Sequence, residues 1–361
     1  MIRKIFYILI LNLLFADGNN VYYLKPGPNL VSFNILPSNT SVDNIFSNIE
    51  NDLISIITES QISHRINNNW VGTLTNIDNI NGYWIIANQI TLLDVEGIVN
   101  DSPTYYLETG ANLVSYPHSQ PQTLEDAIPF YMDNYLSAII GENKAALFIN
   151  GQVYGSLDSF EPNKAYWFFL NNPTFFEYNF SENRYTANTN NNTFEDENTN
   201  AYNQSTLQSI FFVNKAFING NSLTNNDDIS VLCNETLVGG KKWNGNMTDV
   251  IAMGYDGYEF TSGYCNSGEN INIKINNLNM HITGNSEWNN NTINIISISD
   301  FETGDVNLDY TKNITDIIII IEHIIDTNLI NNEHQLFLSD INNDETTNIT
   351  DIINLVDLVI E

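Results

Sequence analysis

The feature that most restricts what this chain can fold into is an internal duplication without gaps. VYYLKPGPNLVSF at 21–33 matches TYYLETGANLVSY at 104–116, VGTL at 71–74 matches YGSL at 154–157, and GYWII at 82–86 matches AYWFF at 165–169, each pair at a spacing of 83. Gly27 thus pairs with Gly110, Asn29 with Asn112, Gly72 with Gly155, Tyr83 with Tyr166 and Trp84 with Trp167. A match that needs no insertion over this length means one structural unit present twice. Within each copy, NLVSF or NLVSY follows a glycine-containing turn and predicts a strand. SVDNIFSNIEN at 41–51 sets Val42, Ile45, Phe46 and Ile49 at helical spacing behind Ser41, a good N-cap. In the second copy TLEDAIPFYMDN carries Pro129, which interrupts or shifts that helix. LISIIT and LSAIIG predict buried strands, and the segments through Trp84 and Trp167 a closing hairpin. Each copy is therefore expected to be a small α+β domain with a helix on one face of an antiparallel sheet.

The rest of the 361 residues divides by composition. Residues 1–16, MIRKIFYILILNLLFA, place Arg3 and Lys4 before an apolar run that ends on Ala16, the pattern of a secretory signal peptide. The domain plan is then a signal peptide at 1–16, α+β repeats at 17–100 and 101–182, and a disordered linker at 183–204, where NRYTANTNNNTFEDENTNAYNQ has too few aliphatic residues to build a core. From 205 to 300, short apolar runs alternate with turn signals, which predicts an all-β antiparallel sandwich or barrel. Cys233 and Cys265, the only cysteines, lie in this block. Export would permit a disulfide between them, but spacing does not supply the Cα distance that decides it.

A formal net charge of −31 excludes phosphate-backbone partners, so no nucleic acid is expected. The next most apolar segment, IIIIIEHII at 317–325, is too short to span a bilayer and carries Glu322 and His323, so no membrane span is expected after signal cleavage. The exported chain is expected at the cell surface or in the medium.

The last 61 residues carry a second repeat, at a spacing of 35. GDVNLDYTKNITD at 304–316 and SDINNDETTNITD at 339–351 place oxygen donors alike. Loop positions 1, 3, 5, 9 and 12 are Asp305, Asn307, Asp309, Asn313 and Asp316 in one, and Asp340, Asn342, Asp344, Asn348 and Asp351 in the other. Position 7, which supplies a backbone carbonyl, is Thr311 or Thr346. Ca2+ takes six to eight hard oxygen ligands at about 2.3–2.6 Å, and a 12-residue loop delivers them from these positions. Two Ca2+ sites are expected. Position 6, where the backbone turns sharply and glycine is common, is Tyr310 or Glu345. Each loop runs into an apolar segment, placing Asp316 and Asp351 in the first turn of a helix, where a carboxylate also suits the helix dipole.

Two loop–helix units lacking the entering helix of an EF-hand, over 301–361, resemble a type I dockerin. The resemblance implies a small helical domain that binds calcium and docks onto a cohesin module of a partner protein. It also implies that positions 10 and 11 touch that partner: Ile314 and Thr315, then Ile349 and Thr350. The stretch from VNKAFING to EFTSGY resembles β-modules that accompany dockerins in secreted bacterial proteins.

No GxSxG, GxxxxGK[ST] or GxGxxG occurs. A glycosidase needs only two carboxylates, for which Asp249, Asp256, Glu259 and Glu269 are the nearest candidates, in a block that looks like hairpin turns. The expectation is a non-enzymatic, secreted, calcium-binding modular protein. Two alternatives stay open: a carbohydrate-binding or polysaccharide-degrading complex component, with Trp70, Trp243 and Trp288 as candidate glycan contacts, and a surface adhesin whose calcium is purely structural.

Overall fold

In a computed structural model, residues 17–100, 102–179 and 202–360 are described. The segment at 1–16 that was read as a signal peptide and most of the predicted linker lie outside the described residues. Strand dominates the described residues, and helix is concentrated in the last 48 residues of the sequence, from Ile314 onward.

Each repeat is built on a five-stranded antiparallel sheet. In the first copy the order is Gly27–Ser32, Gly82–Ala87, Leu53–Ile57, Ile62–Ile66, Asn69–Gly72, and in the second Gly110–Ser115, Ala165–Leu170, Leu136–Ile140, Ala145–Ile149, Gln152–Gly155. The strand through Trp84 or Trp167 is therefore central rather than half of a closing hairpin. Conserved positions between the copies have the same tasks. The Asn29 side chain accepts from the Lys25 N–H at 2.9 Å and donates to three carbonyls, of Lys25, Gly27 and Ile85. Asn112 does the same with Glu108, Gly110 and Phe168. The Tyr83 hydroxyl accepts from the Asp78 N–H at 2.9 Å and that of Tyr166 from the Glu161 N–H at 2.8 Å. At Gly72 and Gly155 a Cβ would sit 2.0 and 2.3 Å from a backbone oxygen of the neighbouring strand, so only glycine lets the last hairpin close.

The expected helix on each sheet shrinks to one turn, α1 (Val42–Ile45) and α2 (Leu124–Ala127), followed by 3-10 turns at Glu50–Asp52 and Phe130–Asn134. Ser41 caps α1 through the Asn44 N–H as anticipated. Val42, Ile45, Phe46 and Ile49 are all buried, so the burial pattern holds while the conformation differs. A helix this short cannot repay its nucleation; the chain meets the same contacts with separate turns. Pro129 lies just past α2, which starts one residue earlier than the position equivalent to α1. The repeats are thus β domains with helical turns, not α+β.

The two copies pack on each other about a pseudo-twofold axis. Isolated bridges join Val31 to Lys164 and Asn81 to Val114, and each becomes the other on exchange of the copies. The Ser32 N–H donates to the Asn163 carbonyl at 3.0 Å, and in the equivalent bond the Ser115 N–H donates to that of Ile80 at 3.1 Å. Such self-complementary contact is the geometry of an isologous dimer within one chain.

The block at 205–300 is a strongly curved sheet rather than a purely antiparallel sandwich. Its first long strand, Gln208–Ile218, pairs in parallel with its last, Ile293–Ser299, and antiparallel with Thr248–Met253. Leu278–Gly284, Glu269–Ile275, Asp228–Cys233 and Thr236–Lys242 continue the order outward from the last strand. Cys233 and Cys265 form a disulfide with Cα atoms 5.3 Å apart.

This module packs against the repeats. Leu30, Trp84, Leu113 and Trp167 of the repeats share one apolar core with Phe212, Val250 and Trp288 of the module. Trp84 and Trp167 are core residues as expected, but of this joint core rather than of their own domains. The Ala145 N–H donates to Asp249 Oδ2 at 2.9 Å, the Ser156 hydroxyl to the same oxygen at 2.8 Å, and Lys241 Nζ pairs with it at 2.8 Å. The hydroxyls of Ser55 and Tyr258 bond at 2.5 Å. Of the predicted linker, residues 202–204 are packed: the Asn203 N–H donates to the Tyr264 hydroxyl at 2.6 Å and its side-chain amide to the Phe260 carbonyl at 2.7 Å. Among the described residues no helix is long and apolar enough to cross a membrane.

Candidate metal and docking site

The C-terminal unit has three helices, α3 (Ile314–Ile324), α4 (Glu333–Ser339) and α5 (Ile349–Ile360). The two that follow the loops, α3 and α5, were expected. The short α4 was not: its only sequence signal is Asn332 ahead of Glu333, a cap that here accepts from the His334 and Gln335 N–H groups. Val306, Ile317, Ile320, Ile330 and Leu355 form the small core between α3 and α5.

Both loops are wound alike by their own donors. In the first, Asp305 Oδ1 accepts from the Asp309 N–H at 3.1 Å, and Asn307 Oδ1 from the same group at 2.9 Å. Asp309 Oδ1 accepts from the Thr311 N–H and hydroxyl at 2.9 and 2.5 Å. In the second, the Asp344 N–H reaches Asp340 Oδ1 and Asn342 Oδ1, both at 3.1 Å, and the Thr346 N–H reaches Asp344 Oδ1 at 3.0 Å. Position 12 closes each loop. Asp316 Oδ1 accepts from Val306 and Asn307 N–H at 2.9 Å, while its Oδ2 accepts from Asn313 N–H at 2.9 Å. Asp351 repeats this with Ile341, Asn342 and Asn348 at 2.8, 3.2 and 2.8 Å. Position 9 is simultaneously the helix cap: Asn313 Oδ1 accepts from Thr315 N–H and Asn348 Oδ1 from Thr350 N–H, both at 2.8 Å.

The backbone also turns alike. Tyr310 and Glu345, at the position where glycine is usual, both have φ of 67°, and position 4 is left-handed in both loops, Leu308 at 63° and Asn343 at 56°. The loop geometry is thus kept despite the side chains. A non-glycine residue in that region costs roughly 1–2 kcal/mol, and replacing it by glycine returns part of this as entropy of the unfolded chain. Glu345→Gly is therefore expected to raise the stability of the unit by about 0.5–1 kcal/mol, read as a higher melting midpoint in calcium-free buffer; an unchanged or lower midpoint would contradict the strain.

The electrostatics point the same way in both loops. Burial pushes the Asp305 and Asp340 carboxyls above their ordinary range, with the nearby Asp316 and Asp309, or Asp351 and Asp344, adding to the rise. Hydroxyl donation from Thr311 and Thr346 holds Asp309 and Asp344 below it. Among the described residues no three His, Cys, Asp or Glu side chains converge closely enough to hold a metal by themselves. A cation in either loop would draw on the Asn side-chain oxygens and the carbonyl of Thr311 or Thr346 as well. The donors fit that demand, because a carboxylate or amide oxygen that accepts one N–H keeps a lone pair for a metal. All twelve candidate ligands lie in the two loops.

The outer faces of α3 and α5 are apolar and uncovered. Ile314, Ile318, Ile321 and Ile325 recur at helical spacing and are 62, 46, 39 and 59 % exposed. At a spacing of 35 residues stand Ile349, Ile353, Val356 and Ile360, of which Ile349 and Ile353 are 63 and 56 % exposed. Thr315 and Thr350 are exposed beside them. The exposure of Ile318, Ile321, Ile353 and Ile360 was not anticipated from the sequence. Their signal was a run of five isoleucines at 317–321, more than a buried helical stripe requires. The remaining side of the unit is sealed: His334 stacks on Phe217 at 4.8 Å, Phe337 lies 5.4 Å from Phe217, and the Asn332 side chain donates to the Gly220 carbonyl at 3.0 Å.

Several of the other candidates have structural partners. Trp243 and Trp288 are buried, the latter donating to the Ala252 carbonyl at 2.9 Å. Trp70 is half-buried beneath Arg65 and beside Phe46. None of the three offers a free face to a glycan. Asp249 is committed to Lys241, and Asp256 accepts from Thr206 and Thr261. Comparison with family models, with curated proteins and with solved structures finds no match for the chain.

Proposed function

We propose that the chain is a calcium-binding assembly protein of the extracellular space, whose C-terminal unit acts as a dockerin-like element. Each loop holds one Ca2+, the first through Asp305, Asn307, Asp309, Thr311, Asn313 and Asp316 and the second through the equivalent residues from Asp340 to Asp351. The cation neutralises three carboxylates per loop and braces the start of the following helix. The isoleucine faces of α3 and α5 then seat on the apolar sheet face of a cohesin-like module in a partner protein. One observation carries this reading: loop bonds, left-handed backbone positions and exposed faces are all duplicated at 35 residues, while the opposite side is committed to the chain's own β-module. The disulfide supports export, since such bonds persist in oxidising compartments.

The test uses the full chain. Addition of Ca2+ to chelated protein should raise helicity and the melting temperature of the C-terminal unit, with two binding events by calorimetry. Calcium-loaded protein should bind an immobilised cohesin module, and Ile314→Asp with Ile349→Asp should weaken that binding about a hundredfold, as loss of two central anchors does. Circular dichroism and melting that ignore chelation would sink the calcium reading; calcium binding without cohesin capture would sink the docking reading alone.

A further inference from the structure

The second repeat carries a surface that its twin lacks. Tyr106, Phe130, Tyr131 and Phe175 are 60, 88, 44 and 66 % exposed. Tyr106 and Phe175 are direct partners across the two-stranded ribbon of Tyr105–Leu107 and Thr174–Phe176, with ring centroids 5.2 Å apart. Tyr131 is tied to the same ribbon by its hydroxyl, which donates to the Phe175 carbonyl at 3.3 Å, and Phe130 precedes it in the same 3-10 turn. The first repeat is an internal control for what the fold requires. There the equivalent positions are Tyr23, Ser47, Asn48 and Leu92, with Tyr23 opposite Leu92 in the same ribbon register. The ribbon register therefore forms without the Phe175 ring, and the first copy places Ser47 and Asn48 where the second exposes Phe130 and Tyr131.

We propose that this surface binds a neutral polysaccharide, its rings stacking on the apolar C–H faces of successive sugar residues. The chemistry around the rings selects that class. The only lysines of the repeat, Lys144 and Lys164, lie 4.0 and 2.9 Å from Glu161 and Glu142, and it holds no arginine, so carboxylates far outnumber cations on the repeat and disfavour an anionic ligand. Exposed Asp133, Asn134 and Glu177, with Thr104 donating to Glu177, rim the rings with groups that accept from sugar hydroxyls. The site does not depend on the calcium loops, so it operates whether or not the C-terminal unit docks as proposed above.

Affinity electrophoresis of the full chain in native gels containing hydroxyethylcellulose, xyloglucan or galactomannan, with dextran sulfate as the anionic comparison, tests it. Migration should slow in at least one neutral gel and not in dextran sulfate. Phe130→Ala combined with Phe175→Ala should weaken retardation about tenfold or more, as loss of central aromatic contacts does. Tyr23→Ala combined with Leu92→Ala, in the other repeat, should leave it unchanged, as should chelation of calcium. Both pairs are solvent-exposed, and circular dichroism should match the parent for each variant. Absence of retardation in every neutral gel, retardation that survives the Phe130/Phe175 pair, or a Phe130-dependent dimer in the ultracentrifuge without glycan binding would each overturn the proposal.

Discussion

Cys233→Ser together with Cys265→Ser is expected to cost the protein roughly 3–4 kcal/mol, the loop-closure entropy of a bridge spanning this many residues. The bond spans 32 residues of the curved module and ties its Asp228–Cys233 strand to the loop that follows Thr248–Met253. Because Trp84 and Trp167 share a core with Trp288, the repeats should feel the loss too. Guanidinium unfolding followed by tryptophan fluorescence should move to lower midpoint as a single transition. Two separated transitions, with only one displaced, would show that the joint core does not couple the modules.

The second large effect is expected at position 12 of the two loops proposed to bind calcium. Asp351 is fully buried and accepts three backbone N–H groups, closing the loop and starting α5. Hydrogen bonds to a charged group contribute about 1.5–3 kcal/mol each, and donors left buried without a partner add a penalty. Asp351→Ala should therefore cost about 3 kcal/mol or more even in chelator, with loss of helical signal. Asp351→Asn separates two roles: an amide oxygen retains part of the N–H network but brings no charge to a cation. It should fold in chelator yet gain much less stability from Ca2+ than the parent. An Asn variant with undiminished calcium response would remove Asp351 from the ligand set.

How much of this was legible depended on whether the signal was periodic or long-range. The 83-residue duplication and the paired loops were readable because a fixed spacing repeats the same local demands: Asn29 and Asn112 staple identical arches, and Asp316 and Asp351 close identical loops. The helix over 41–51 was over-read because four buried positions at helical spacing also suit a single turn followed by 3-10 turns. Nothing local could announce that Gln208–Ile218 pairs in parallel with Ile293–Ser299, more than 80 residues away, because each strand shows the same apolar pattern whichever neighbour it takes. The tryptophans misled for a related reason. Trp243 sits in a polar stretch yet is buried by strands distant in sequence, whereas the exposed rings of the second repeat were visible only as differences between the copies.

The parallel pairing at the heart of the module has a mechanical consequence. Register runs from Ile210 opposite Ile293 to Phe217 opposite Ser299, so the chain enters at one end of this pair and leaves at the other. A pull applied between the repeats and the C-terminal unit loads the whole ladder in shear, all its bonds sharing the force, rather than peeling them one at a time. Rupture under load is governed by the unfolding rate, and a sheared ladder must break together to yield. A chain moored at its C-terminus and holding a polymer through its second repeat would carry tension through this strand pair.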